Sequence, residues 1–214
     1  MYCGIDEAGR GSVMGPLVVG VVYVNDDEAL KNIGVKDSKK LTPKARDRMY
    51  GEITAAADHW CTVMISSEEI DEQRKSISLN EIELNMFAEG GTKWDAEIVY
   101  ADCPDINEES FSARLSALIG KDKEIIAKHK ADDTYPVVSA ASIVAKVTRD
   151  RMIEDIEKEF GTGIGSGYPS DHYTMDFIQE WIVKNGKAPP HVRTSWEPVR
   201  EMLSRRKNRS LDDW

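Results

Sequence analysis

Apolar positions along this 214-residue chain follow two rhythms. "YCGIDE" is a short apolar run that ends in acids, and "PLVVGVVYV" is valine-rich and almost unbroken, the pattern of a strand covered on both faces. "HWCTVMISS", "AEIVYADCP" and "KEIIAKHKAD" read as three further strands. Elsewhere the spacing is helical. "VKDSKKLTPKARDRMYGEITAAA" turns helical at Thr42-Pro43, with Thr as N-cap and Pro at the first helical position. "SLNEIELNMFAEGG" spaces Leu79, Ile82, Leu84, Met86 and Phe87 on a helix that stops at a glycine pair. "NEESFSARLSALIG" is a helix, and "VVSAASIVAKVTRDRMIEDIEKEFG" a long one ending at Gly161. Three early strands followed by strand–helix–strand–helix predict an α/β fold, a mixed sheet with helices on both faces. Past Gly161, "GTGIGSGYPSD" is loop-like, and "HYTMDFIQEWIVKNG" and "SWEPVREMLSRRKN" are short helices. Residues 162–214 are therefore expected to form a small helical extension on a sheet domain of residues 1–161.

No run is long and apolar enough to span a membrane, and no basic segment followed by an apolar one marks a secretory signal. Cys3, Cys61 and Cys103 are scattered, with no C-x-x-C spacing, which suits reduced thiols and a cytoplasmic setting. The net charge of −10 argues at first against a nucleic-acid partner. Its distribution changes that picture: six Lys/Arg face two Asp from Lys36 to Arg48, and eight face two Glu from Lys184 to Arg209. The local field governs phosphate contact, although each basic stretch also reads as a solvated face.

Acid at strand ends is the strongest chemical signal. Asp6 and Glu7 close the first strand, Asp102 the fourth, and Asp132/Asp133 follow the fifth. Parallel neighbouring strands would bring these groups to one sheet edge, where chemistry in α/β sheets is placed. Carboxylates crowded together raise each other's pKa, and hard divalent cations with all-oxygen ligands, Mg²⁺ or Mn²⁺, resolve that conflict. Two such ions about 3.5–4 Å apart can clamp the attacking and leaving oxygens of a phosphodiester. Taken singly, each acid also reads as a cap or surface residue, and Asp105, close to Asn107, as the acid at a helix start. There is no P-loop, a receiver-type phosphoacceptor domain fails on length and spacing, and His129, His172 and His191 lack metal-ligand spacing. Ser38 and Lys39 precede a helix start, a seat for phosphate. Ser139, Ser142 and Lys146 share a helix face that could touch backbone phosphates, or whose small residues simply permit close packing on the sheet.

"GIDEAGRGSVMGPLVVG", "VKDSKKLTPKAR", "YADCPD", "HKADDTYPVVSAASIVAKVTRDR" and "GSGYPSD" together resemble the ribonuclease HII family, the fourth block its archaeal branch, from Tyr2 to about Trp196. The resemblance implies a ribonuclease H-like five-stranded sheet in the order 3-2-1-4-5 with a helical C-terminal extension. It implies a metal-dependent endonuclease that cuts the RNA strand of RNA–DNA hybrids, and duplex DNA on the 5′ side of a single ribonucleotide, leaving 3′-hydroxyl and 5′-phosphate. Asp6, Glu7, Asp102 and Asp132 would be the catalytic metal ligands, for Mg²⁺ or Mn²⁺ and two ions during catalysis, with Asp132 fitting the motif better than its neighbour Asp133. Gly9-Arg10-Gly11 would read the 2′-hydroxyl, since glycines let backbone groups approach closely, and in the family this motif acts with a tyrosine, here Tyr168. Taken alone, the motif is a tight turn and Tyr168 a loop aromatic. The tail "NRSLDDW", with Asn208, Leu211 and Trp214, resembles a degenerate sliding-clamp box. A monomer without membrane attachment is expected. Two alternatives remain: a non-catalytic binder of RNA–DNA junctions, and a ribonuclease HIII-like hybrid nuclease, whose family carries an extra N-terminal domain.

Overall fold

All eight residues of β2 (Leu17–Val24, LVVGVVYV) are buried, as a nearly continuous apolar run requires of a strand covered on both faces. A computed structural model describes residues 1–35 and 42–212 of the chain. The sheet has five strands in the order β3-β2-β1-β4-β5: β1 (Tyr2–Ala8), β2, β3 (His59–Ile65), β4 (Ile98–Asp102) and β5 (Glu124–Lys128). β1 pairs antiparallel with β2 and parallel with β4, and β4 runs parallel to β5. The predicted mixed sheet and its order are therefore what the structure has.

The chain divides into two compact units that alternate in sequence: residues 1–8, 18–64 and 79–148, and residues 9–17, 65–78 and 149–214. In the first unit, helices cover both faces of the sheet. One face packs against α1 (Glu28–Ile33), α2 (Pro43–Ala56) and the first half of α7 (Pro136–Phe160), with Val22, Val24, Leu30, Ile53, Val138 and Val144 in a common core. The small residues of α7 allow very close contact: a Cβ on Gly4 would lie 2.3 Å from the Val137 carbonyl oxygen, and one on Gly20 2.2 Å from that of Ala141. The other face meets α4 (Leu79–Gly91) and α5 (Glu108–Ile119), where Phe87 and Phe111 stack edge to face at 5.8 Å and a Cβ on Gly91 would touch Ile119 and Ile5.

Local signals set the helix ends. The Thr42 hydroxyl accepts from the Ala45 N–H, with Pro43 at the first helical position, and Asn107 caps α5 by accepting from Ser110. Short elements that periodicity alone does not reveal are α1, α3 (Ser67–Gln73, opened by a Ser66/Glu69 capping box) and α6 (Ala131–Thr134).

The second unit has its own core of Val13, Met14, Ile153, Ile156, Ile178 and Ile182, built by the end of α7, α8 (His172–Asn185) and α9 (Glu197–Asp212). Residues 9–15 are tied into it through the backbone: Val13 and Met14 N–H donate to the Gly167 carbonyl, Gly15 N–H to that of His191, and Arg193 N–H to that of Val13. Two fully buried arginines, Arg149 and Arg193, complete the anchorage.

Candidate active site

The register of the parallel pair explains how separated acids meet. Ile5 is opposite Ala101 on β1 and β4, so one step further along both strands stand Asp6 and Asp102. Strand alternation points Asp6 to the α7 side, the side of Gly4, where the Ser142 hydroxyl hydrogen-bonds its carboxylate. The Glu7 N–H donates to Asp6 Oδ1 at 2.7 Å. Asp6 is only 5% exposed. Burial first, then the charge of Asp102, push its carboxyl from 3.8 up to about 7, with a smaller push from Asp132.

Glu7 takes the opposite pleat, toward α4. Burial and the neighbouring charges of Asp6, Glu83 and Asp102 raise its carboxyl well above the ordinary range, and its buried Oε2 has no hydrogen-bond partner among the described residues. Glu83, fully buried on α4, was not singled out by sequence reasoning. Its signal was legible: a carboxylate in the apolar stripe that also carries Ile82, Met86 and Phe87.

Asp102 is oriented by the Ala131 N–H, which donates to its Oδ1 at 2.7 Å. β5 stops at Lys128, earlier than the apolar run suggests, because Lys130 adopts a left-handed conformation (φ 56°) and starts the single helical turn α6. Asp132 therefore stands on a helical turn, not on a strand. It is half-buried, whereas Asp133 is exposed. The Ser139 hydroxyl donates to the Asp132 carbonyl oxygen, so this serine secures α6 against α7. Lys146, one turn beyond Ser142, is half-buried.

As the side chains stand, no group of three or more His, Cys, Asp or Glu among the described residues is arranged to hold a metal ion. The residues nevertheless fit a hard cation. The donors are all carboxylate oxygens, one of them is buried and unpartnered, and burial together with neighbouring acids opposes ionisation of Asp6 and Glu7.

In the second unit, Gly9 has φ 91° and its N–H donates to the Tyr168 hydroxyl at 3.1 Å. The Gly9 carbonyl accepts from the Ser12 hydroxyl at 2.8 Å, and the Arg10 carbonyl from Arg193 Nη1 at 3.0 Å. Gly11 is exposed, with nothing within 4 Å of a would-be Cβ. Ser38 and Lys39 lie outside the described residues. Arg149 and Arg193 also escaped the sequence reading. Arg149 betrays itself as a cation on the apolar stripe of α7 that includes Ala145, Ile153 and Ile156.

A 3-2-1-4-5 sheet with acids at adjacent ends of its central parallel strands defines a ribonuclease H-like nuclease. The family profile described as Ribonuclease HII matches residues 3–199. Ribonuclease HII of Pyrococcus furiosus is 46% identical over 203 residues, covering 93% of this chain and 89% of that protein. The crystal structure of ribonuclease H2 from Pyrococcus horikoshii OT3 superposes with a TM-score of 0.91 at 40% identity, covering 96% of this chain and 98% of that one. The structure of the PCNA:RNase HII complex from Archaeoglobus fulgidus matches with a TM-score of 0.89 at 41% identity, over 94% and 96%. The chain belongs to the ribonuclease HII family, and so to the type 2 ribonucleases H.

Proposed function

We propose that this nuclease hydrolyses the RNA strand of RNA–DNA hybrids and cuts duplex DNA on the 5′ side of a single embedded ribonucleotide, leaving 3′-hydroxyl and 5′-phosphate ends. The observation that supports this most is the pair of buried carboxyls at the end of β1, Asp6 raised to about 7 and Glu7 with its Oε2 unpartnered among the described residues, beside Asp102 at the end of β4. Asp6, Glu7, Asp102 and Asp132 would hold Mg²⁺ or Mn²⁺, two ions during the reaction. Bound there, such ions supply an activated water and charge stabilisation for the departing 3′-oxygen.

The protein's own part is placement. The Ala131 N–H holds Asp102, the Glu7 N–H and Ser142 hydroxyl hold Asp6, and the Ser139 hydroxyl fixes the turn that carries Asp132. Discrimination of RNA from DNA falls to Gly9-Arg10-Gly11 and Tyr168. The Tyr168 hydroxyl already accepts from Gly9 N–H, which leaves its own proton to donate to a 2′-oxygen. Ser38, Lys39, Ser142 and Lys146 are proposed to contact backbone phosphates. Residues 162–214 would serve as the helical extension of the catalytic domain, and a monomeric cytoplasmic enzyme is the setting that fits. No described helix is long and apolar enough to cross a membrane.

The deciding assay is duplex DNA carrying one ribonucleotide, incubated with and without Mg²⁺ or Mn²⁺. Metal-dependent cutting 5′ to the ribonucleotide is expected. Binding without cutting under all metal conditions would overturn the reading in favour of a junction binder. For the tail, the Archaeoglobus relative solved with PCNA supports a clamp-binding hook at Leu211 and Trp214. Deleting Ser210–Trp214 should weaken binding to a sliding clamp at least tenfold and leave basal cutting unchanged; equal affinity would refute the hook.

A further inference from the structure

Arg149 belongs to no part of the chemistry proposed above, and its surroundings are unusual. It is completely buried, yet its hydrogen bonds go to backbone carbonyls. Nη2 donates to the Met14 carbonyl at 3.3 Å and to the Ser166 carbonyl at 3.1 Å, whereas Nε and Nη1 find no acceptor among the described residues. A cation in that position is costly unless something else offsets its desolvation. What it meets is the face of Tyr168: Cζ lies 4.5 Å from the ring centroid.

Two glycines make the room, and a third stands beside them. A Cβ on Gly9 would fall 2.5 Å from Arg149 Nε and 2.7 Å from its Cδ, and one on Gly167 2.8 Å from Nη2. Gly15 approaches the same guanidinium, its would-be Cβ 4.0 Å from Nη2. All three have positive φ (91°, 81° and 85°), which side chains disfavour, and at Gly9 and Gly167 the arginine also leaves no room for a Cβ. The guanidinium thus fills a glycine-walled slot, and the ring it supports is the one whose hydroxyl accepts from Gly9 N–H.

We infer that Arg149 is a positioning residue: its planar guanidinium, seated in the slot lined by Gly9, Gly15 and Gly167, fixes the Tyr168 ring so that its hydroxyl stays paired with the Gly9 N–H at the 2′-hydroxyl reader. The functional half of this statement rests on the reader role proposed for Tyr168; the positioning half does not. The first glycine of the Gly9-Arg10-Gly11 motif acquires a second duty, since its bare Cα admits the arginine as well as any substrate atom. A lysine would not replace the arginine fully, because a point ammonium can neither lie flat on the ring nor reach two carbonyls in the same plane.

The test is ¹⁹F NMR on the full chain labelled with 3-fluorotyrosine, the Tyr168 resonance being assigned by its loss in Tyr168→Phe. Arg149→Met removes the cation and keeps side-chain length. It should move the Tyr168 resonance toward the free amino acid position, with the other tyrosines in place. Arg149→Lys should move it by a smaller amount, and it carries the test should the Met variant not fold. A Tyr168 resonance that stays at its wild-type position in the folded variants overturns the inference.

Cutting at a single ribonucleotide is read alongside. A roughly tenfold loss of kcat/KM in Arg149→Met, shrinking to under twofold in a Tyr168→Ala background, shows that the arginine acts through the tyrosine. An equal loss in both backgrounds overturns that route. A displaced resonance with undiminished cutting leaves the positioning intact and refutes the reader role of Tyr168 instead.

Discussion

Replacing Asp6 by Asn should make the metal-free protein more stable while removing its activity. In the native state Asp6 is raised from 3.8 to about 7, chiefly by burial and then by Asp102. Between those two values the folded protein retains a proton that the unfolded chain has released. Unfolding stability therefore falls as pH rises from about 4 to about 7, and the full penalty persists above that. At 1.36 kcal/mol per pH unit the ceiling is about 4 kcal/mol; with relaxation and water penetration, roughly 2 kcal/mol is a realistic share. Asn keeps the acceptor for the Glu7 N–H and removes the charge. For a chain of this size the gain corresponds to about 4–8 °C in Tm. Thermal melts of both proteins in excess chelator, at pH 4.5 and pH 8, measure it. The variant should melt higher at pH 8 and nearly level with wild type at pH 4.5, and excess Mg²⁺ should close or reverse the gap by raising wild type alone. A variant that is no more stable than wild type at pH 8 in chelator would refute the picture of an uncompensated buried carboxylate group.

Asp102→Asn should lower cutting by at least a thousandfold with duplex affinity within about threefold, because its remaining oxygen still accepts from Ala131; wild-type turnover would dismiss Asp102 from the site. Tyr168→Ala should slow cutting at a single embedded ribonucleotide about tenfold in kcat/KM, and an unchanged rate there would remove it from the reader. Gly20→Ala should destabilise by about 2–3 kcal/mol, seen as a Tm roughly 4–12 °C lower, since the new Cβ would fall 2.2 Å from the Ala141 carbonyl oxygen; a melt at the wild-type temperature would mean α7 can retreat from the sheet without cost.

Sheet and long helices were legible because burial leaves a strong imprint on them. β2 reads as unbroken valine because both its faces are covered, and α2 announces itself through Thr42-Pro43. α1, α3 and α6 are too short for a 3.6-residue period to emerge, and they are fixed by a cap or a turn instead. β5 ends early because the left-handed Lys130 breaks the strand, a backbone event that the apolar run "EIIAKHKA" does not display. Within the site, the acids stood out as charges at the ends of apolar runs. The pleat that sends Asp6 and Glu7 to opposite faces follows from strand period and was available from sequence, but the partner each face presents was not. Glu83 and Arg149 escaped for one reason: a charge inside an amphipathic stripe looks like a local irregularity until the helix is packed against something.

The bond from Arg193 to the Arg10 carbonyl spans 183 residues of chain, and the one from Arg149 to the Met14 carbonyl spans 135. Residues 9–17 thus leave the ribosome long before their supports exist. At roughly 5–20 residues per second, on the order of 10–40 s pass before Arg193 is made. Val13 and Met14 are left during that interval without their native neighbours, and the segment stands open to proteases and to chaperones. The segment proposed to tell RNA from DNA is consequently among the last to mature, and a chain truncated near its end would release that segment without the supports it has in the full fold.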